Sequence, residues 1–256
     1  MIRGLYTGAS GMLVEMARTD VISNNMANVN TTGFKKDRAI FRAFPEMNIH
    51  RIHDPVPVGI DKVVDPRPFI GMLGTGVMLD EINTDFAQGS FKTTSNPLDL
   101  AIRGEGFFQV QTPDGIRYTR DGSFTLNRDR YIVTKDGYYV LGNNGPVQLT
   151  QEGDIVISEQ GEIFVNEEYV DRLNTVTFVE TNQLQKQGDN MYISDVPPIP
   201  LQYVQIAQGA LEEANVNIVS EMVNLISAFR AYEANQKVIQ THDATLDKAV
   251  NDVGRV

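Results

Sequence analysis

The chain has 256 residues, no cysteine, no tryptophan and a formal net charge of −11. That length buries a sizeable core or divides into modules, and the absent cysteines exclude a disulfide framework and thiol catalysis. The acidic excess leaves no basic surface to displace counterions from nucleic acid, and no apolar run reaches bilayer length, so neither nucleic-acid binding nor membrane insertion is expected.

The first predicted element is a long helix within residues 1–36. Ile2, Leu5, Ala9, Met12 and Met16 step by three and four, and after a small shift Thr19, Ile22, Met26 and Val29 continue the stripe. Arg3, Ser10, Glu15, Arg18, Asp20, Asn24 and Asn28 take the other face. Gly33 is expected to close the helix in the left-handed conformation, with Phe34 folded back onto the last turn. Asn24, Asn25, Asn28 and Asn30 crowd this helix end, where asparagine has poor propensity. They read either as caps or as a polar device that holds neighbouring helices in register. No cleavable signal peptide is visible around Arg3.

Past the charged run Lys35-Lys36-Asp37-Arg38, prolines and glycines from Pro45 to Gly76 predict an extended connector. Short strands follow. The spacing places them near 98–102, 106–111, 138–141, 155–158, 163–165 and 174–180, with hairpin signals at Pro113-Asp114-Gly115, Asp121-Gly122 and Asp136-Gly137. Val196-Pro197-Pro198-Ile199-Pro200 marks a break, and an extended piece over 205–211 leads to a second long helix over 215–253. There Leu225, Phe229, Tyr232, Gln236, Ile239, Asp243, Leu246, Val250 and Val253 form a heptad seam, with Val216, Val219, Val223 and Ile226 beside it.

These elements give an α+β fold. A discontinuous terminal-helix coiled-coil domain, 1–36 with 212–256, brackets a small antiparallel β-rich domain over 76–195. An extended connector, 37–75 with 196–211, joins them. Two helices alone cover only part of so much apolar surface, so an assembly is expected to complete the packing.

Chemistry is sparse. Gly104-Glu105-Gly106 is too short for a dinucleotide fingerprint, and Ser10 misses the nucleophile-elbow spacing. His50 and His53 lack a third metal ligand at suitable spacing. The acidic pairs Glu152/Asp154 and Glu167/Glu168 suit a glycan hydrolase only across a cleft. No catalytic residue, cofactor or metal site is therefore expected.

The stretch Asn24-Asn25-Met26-Ala27-Asn28-Val29-Asn30-Thr31-Thr32-Gly33-Phe34-Lys35 resembles the N-terminal signature of bacterial flagellar basal-body rod and hook proteins. Leu98 to Phe108, Tyr118 to Phe124, and the segments Ala214 to Asn217, Glu221 to Ile226 and Arg230 to Asn235 are similar to further motifs of that family, so the likeness covers nearly the whole chain. The resemblance implies a structural subunit that polymerises into the tubular drive shaft between motor and hook and lets exported subunits through. It implies as partners copies of itself, other rod and hook proteins, the flagellar type III export apparatus and the surrounding ring proteins. It also implies a periplasmic place reached without a cleaved signal. Length favours a rod subunit over the longer hook protein. Pro45-Glu46 and the tail Leu246 to Val256 lean towards the proximal rod subunit, with the distal one as alternative.

The assembly interface expected from both readings comprises Leu5, Met12, Met16, Ile22, Asn24, Asn25, Met26, Asn28 and Val29 on the first helix. Leu225, Phe229, Tyr232, Ile239 and Leu246 are its counterparts on the second. A secreted adhesin with oligomerising helical tails and a periplasmic glycan hydrolase are the competing readings.

Overall fold

The computed structural model describes residues 2–53, 56–57, 63–201 and 203–253. Parts of the proline-rich stretch, including Pro55 and Gly59, lie outside the described residues, as do the side chains of Ile2 and Val253 at the ends of the two predicted stripes. The chain is an α+β protein in which an N-terminal helix, α1 (Ile2–Ala27), and a C-terminal helix, α2 (Ile218–Lys248), bracket a β-rich middle. A π-helical turn, Ala249–Val253, follows α2.

Two compact units are formed from discontinuous chain. One contains residues 1–23, 38–83 and 222–256; the other contains 24–37 and 84–221.

In the helical unit α1 and α2 run antiparallel: Gly4 faces His242, Gly8 faces Ile239 and Gly11 faces Asn235. The seam differs from the predicted stripe. Gly4, Gly8, Gly11, Glu15, Arg18, Ile22 and Asn25 step by four and three along the covered side of α1, whereas Ala9 and Met16 are exposed. On α2 the inner line keeps Leu225, Tyr232, Ile239 and Leu246 but interleaves Ala228, Asn235, His242 and Ala249 where Phe229, Gln236, Asp243 and Val250 were expected. The reason is steric. Backbones this close admit no large side chain: a Cβ on Gly11 would stand 2.7 Å from Asn235 Nδ2, and one on Gly8 3.1 Å from Ile239 Cγ1. The stretch 37–75, expected as a connector, supplies strands to this unit. Asp37–Ala43 pairs with Val77–Thr84, and Met47–His50 pairs antiparallel with Phe69–Leu73.

The helix stops at Ala27, six residues before Gly33. Asn28 Nδ2 donates to the Asn24 carbonyl at 2.9 Å, its Oδ1 accepts from Thr31 Oγ1, and Thr31 N–H bonds the Asn28 main-chain carbonyl, so the Asn28 side chain and the backbone together close the last turn. Gly33 is left-handed (φ +66°), but for a different purpose: a Cβ there would meet the Arg120 backbone at 2.5 Å. Phe34 is buried beneath the Lys186 ammonium, 4.3 Å from the ring centre, instead of folding back onto α1.

The β-rich unit has a complete interior. Its largest sheet places the hairpin Phe107–Thr112/Gly115–Thr119 between Tyr139–Gly142 on one side and Met191–Ile193 on the other. Pro113-Asp114 and Asp136-Gly137 turn as their sequence predicts, the latter with Gly137 at φ +89°. Asp121-Gly122 does not make a positive-φ hairpin. Asp121 Oδ1 accepts from Ser123 N–H, Ser123 Oγ and Thr32 Oγ1, while Gly122 carries no side chain because the Leu100 carbonyl occupies that space. A smaller three-stranded sheet, Ile155–Ile157, Glu162–Val165 and Glu168–Arg172, shares the core of Leu100, Phe108, Phe124, Ile132, Leu149 and Ile163. A second cluster stacks Phe107, Tyr118, Phe178 and Tyr192 edge to face, an arrangement favoured by ring quadrupoles.

Candidate assembly surface

The surface begins with what the glycine seam leaves outside. Because the narrow face of α1 is taken by Gly4, Gly8 and Gly11, its larger side chains point outward. Tyr6 is 71% exposed, Leu13 70% and Met16 55%. On α2 the equivalent set is Met222, Val223, Ile226 and Phe229, all exposed. A helix apolar on several faces, with only one face covered, has surface left to bury against something else.

The strand pair Met47–His50/Phe69–Leu73 adds to this surface. Met47, Phe69, Ile70 and Met72 are exposed, and His50 packs edge-on to Phe69 with ring centres 5.8 Å apart. His50 Nδ1 lies 2.9 Å from the Arg67 carbonyl, a backbone contact that accounts for its ring. Among the described residues, no cluster of histidine and carboxylate side chains has the makings of a metal site. Between this strand pair and the helices runs an open groove of about 580 Å3, lined by Arg3, Tyr6, Thr7, Met47, Leu73 and Val238 among others. Ser10 Oγ accepts from Val77 N–H at 3.3 Å, and Gly76 leaves room for that hydroxyl.

The residues expected at an interface divide into three groups. Met16, Asn24 and Phe229 are exposed; Leu5, Met12, Met26, Asn28, Val29, Leu225, Tyr232, Ile239 and Leu246 are half-buried. Ile22 and Asn25 are buried within the subunit, 5% and 2% exposed. Asn25 is fully used internally: its Nδ2 donates to the Asp37 carbonyl and its Oδ1 accepts from Asp37 N–H, both at 2.9 Å. The bidentate pair fixes the strand after α1, and Asn28 closes the helix from within the chain. Tyr6, Leu13 and the Met47/Phe69/Ile70/Met72 set were not anticipated. For Tyr6 and Leu13 the signal available was Gly4, Gly8 and Gly11 at steps of four and three, which marks a close-approach face and puts the bulky residues of α1 on the others.

Electrostatics at the base of α1 belong to the β-rich unit. Lys35 Nζ meets Glu212 Oε1 at 2.6 Å with both side chains buried, and Lys186 Nζ bonds Asp37 Oδ1 at 2.8 Å. Burial lowers both lysine pKa values, and their carboxylate partners oppose the shift.

Comparison with known proteins agrees with this architecture. Residues 5–35 match the family "Flagella basal body rod protein", 101–165 match "Flagellar hook protein FlgE/F/G D1 domain", and 207–252 match "Flagellar basal body rod FlgEFG protein C-terminal". The flagellar hook-basal body complex protein FlhO of Bacillus subtilis is 33% identical over the full length of both chains. The flagellar basal-body rod proteins FlgG of Buchnera aphidicola subsp. Baizongia pistaciae and of Borreliella burgdorferi are each 36% identical. The alignments cover 97% and 98% of this chain and 98% of each relative. No helix among the described residues is long and apolar enough to cross a membrane.

Proposed function

Since the chain belongs to the flagellar basal-body rod protein family, we infer that it is a structural subunit of the flagellar rod, built to polymerise with copies of itself and with other rod and hook proteins. The observation that carries this reading is the pair of terminal helices whose mutual packing consumes glycines and leaves Tyr6, Leu13, Ile226 and Phe229 outside. Each such side chain taken out of water against a neighbour contributes about 1.5–3 kcal/mol when fully buried. Contacts of this kind that repeat head to tail without closing generate a helical filament, and a filament gripped all round each subunit transmits torque.

The finer assignments follow the same line. The subunit reaches its place through the flagellar type III export apparatus with its N-terminus uncleaved, stands in the periplasmic part of the basal body, and meets the surrounding ring proteins on its outside. The shorter, proximal rod position is the one favoured by Pro45-Glu46 and the tail beyond Leu246. The role is structural rather than catalytic.

Replacing Leu13 and Phe229 by serine tests the reading. The purified double variant is expected to keep its unfolding free energy within about 0.5 kcal/mol per site, yet to be missing from isolated basal bodies and to leave cells non-motile. Normal incorporation would refute it. In wild-type basal bodies, a mass-spectrometric inventory should find the chain with its first peptide intact, and its copy number against the other rod proteins separates the proximal from the distal position.

A further inference from the structure

The rod reading leaves the buried charges of the β-rich unit unused. Lys35, Glu212 and Arg120 have side chains only 0%, 1% and 4% exposed. Lys35 Nζ donates to Glu212 Oε1 at 2.6 Å and to the Ala87 carbonyl at 2.8 Å. Arg120 donates through Nη1 to the Ile102 carbonyl and through Nη2 to the Gly104 carbonyl, lies over the Phe107 ring, and holds Nη1 3.6 Å from Glu212 Oε2. Gly89 N–H completes the set at 2.9 Å from Glu212 Oε1.

Glu212 is thus the carboxylate shared by two buried cations. It ends the strand Ala210–Glu212, which pairs with Phe91–Thr93, and its own carbonyl accepts from Gly33 N–H at 2.7 Å. The preceding strand, Gln205–Gln208, pairs with Leu100–Arg103 and sends Ile206 into the core. Lys35 and Glu212 are 177 residues apart in sequence. A chain that grows from its N-terminus therefore offers both cations long before their counter-charge.

A buried cation without a partner is strongly disfavoured, whereas a paired and hydrogen-bonded one is tolerated. We propose that docking of the Ala210–Glu212 strand is the obligatory closing step in folding the β-rich unit, gated by Glu212 neutralising Lys35 and Arg120. The desolvation that lowers the pKa of both cations, with Glu212 as the largest opposing influence on each, agrees with that gate. The consequence is an order of events. The β-rich unit stays open until its last strand is available, and only α2 remains to be added. The inference concerns the subunit's own folding and stands apart from its place in a rod.

Refolding of the full chain from urea, followed by tyrosine fluorescence because the chain has no tryptophan, tests the gate. Glu212→Gln is expected to slow refolding by roughly tenfold or more while changing the unfolding rate by less than about twofold, since the pair is already formed at the barrier. Unchanged refolding with faster unfolding would overturn the proposal. If Glu212→Gln fails to fold, the triple variant Lys35→Met, Arg120→Met, Glu212→Leu is expected to recover a cooperative transition, because it removes the cations along with the acid. No recovery in the triple variant would equally overturn the gate.

Discussion

The two units of this chain solve the problem of apolar surface in opposite ways. In the β-rich unit, bulky side chains point inward: Phe108, Phe124, Leu149, Ile163 and Tyr192 are all fully buried, and edge-to-face aromatic pairs fill the space between sheets. In the helical unit the closest approach is built from Gly4, Gly8, Gly11, Ala228 and Asn235, with Val14, Ile22, Tyr232 and Ile239 beside it, while Tyr6, Leu13, Met222 and Phe229 point outward. The β-rich unit finishes its core within the chain, whereas the helical unit leaves Tyr6, Leu13 and Phe229 uncovered, and the function proposed above gives those side chains a neighbour.

The contrast can be broken most forcefully from the finished side. Phe108→Ala removes a fully buried ring stacked at 5.2 Å on Phe124 and is expected to cost about 3–5 kcal/mol in urea unfolding of the β-rich unit. A cost near that of a surface substitution would mean the core is far looser than its packing. On the helical side the sensitive positions are the small ones. Gly8→Leu forces a branched side chain against Ile239 and is expected to destabilise the helix pair by about 1–3 kcal/mol, read as lost amide-exchange protection in α1 and α2 with the β-rich unit unaffected. Equal loss of protection in both units would erase the distinction between them.

The smallest effect at neutral pH, and the most specific, concerns Tyr192. Its hydroxyl is buried with no hydrogen-bond partner, and burial raises its pKa well above the ordinary phenol value of 10. A phenol whose folded pKa is raised contributes stability that is fully present below pH 10 and is lost as pH climbs from 10 towards the folded value. Lys35 and Lys186, with lowered pKa values, act in the opposite sense over the approach to 10.5, so the diagnostic quantity is a difference between variants. Tyr192→Phe is expected to be neutral or stabilising by about 1 kcal/mol at pH 7 and to lose less stability than the wild type between pH 10 and 11. Parallel pH profiles for the two proteins would show that the phenol ionises without penalty.

Much of this architecture is legible in residue order. Periodicity located both helices, and Pro113-Asp114-Gly115 and Asp136-Gly137 located two hairpins, because those signals are local and depend on backbone preference alone. The inner face of α1 was not legible from hydrophobicity. A seam made by Gly4, Gly8 and Gly11 has no apolar side chain to announce it, and two members of the apolar stripe, Ala9 and Met16, are left exposed while Leu5, Met12 and Ile22 are covered. Asp121-Gly122 misled for a similar reason: a tertiary neighbour, the Leu100 carbonyl, decides why glycine stands there. The pairing of Lys35 with Glu212 is a contact across 177 residues, and no local pattern encodes it.

Where the chain leaves α1 and where it returns towards α2, the two strands of backbone touch. Gly33 N–H bonds the Glu212 carbonyl, Lys36 N–H bonds Asn215 Oδ1, and Asn215 Nδ2 reaches the Asp85 and Ala87 carbonyls. The outgoing and returning ends of everything between residues 36 and 212 are thus neighbours at hydrogen-bond distance. Residues 88–211 leave and return at one place, so a change in the length of that stretch can be absorbed without moving these anchor points.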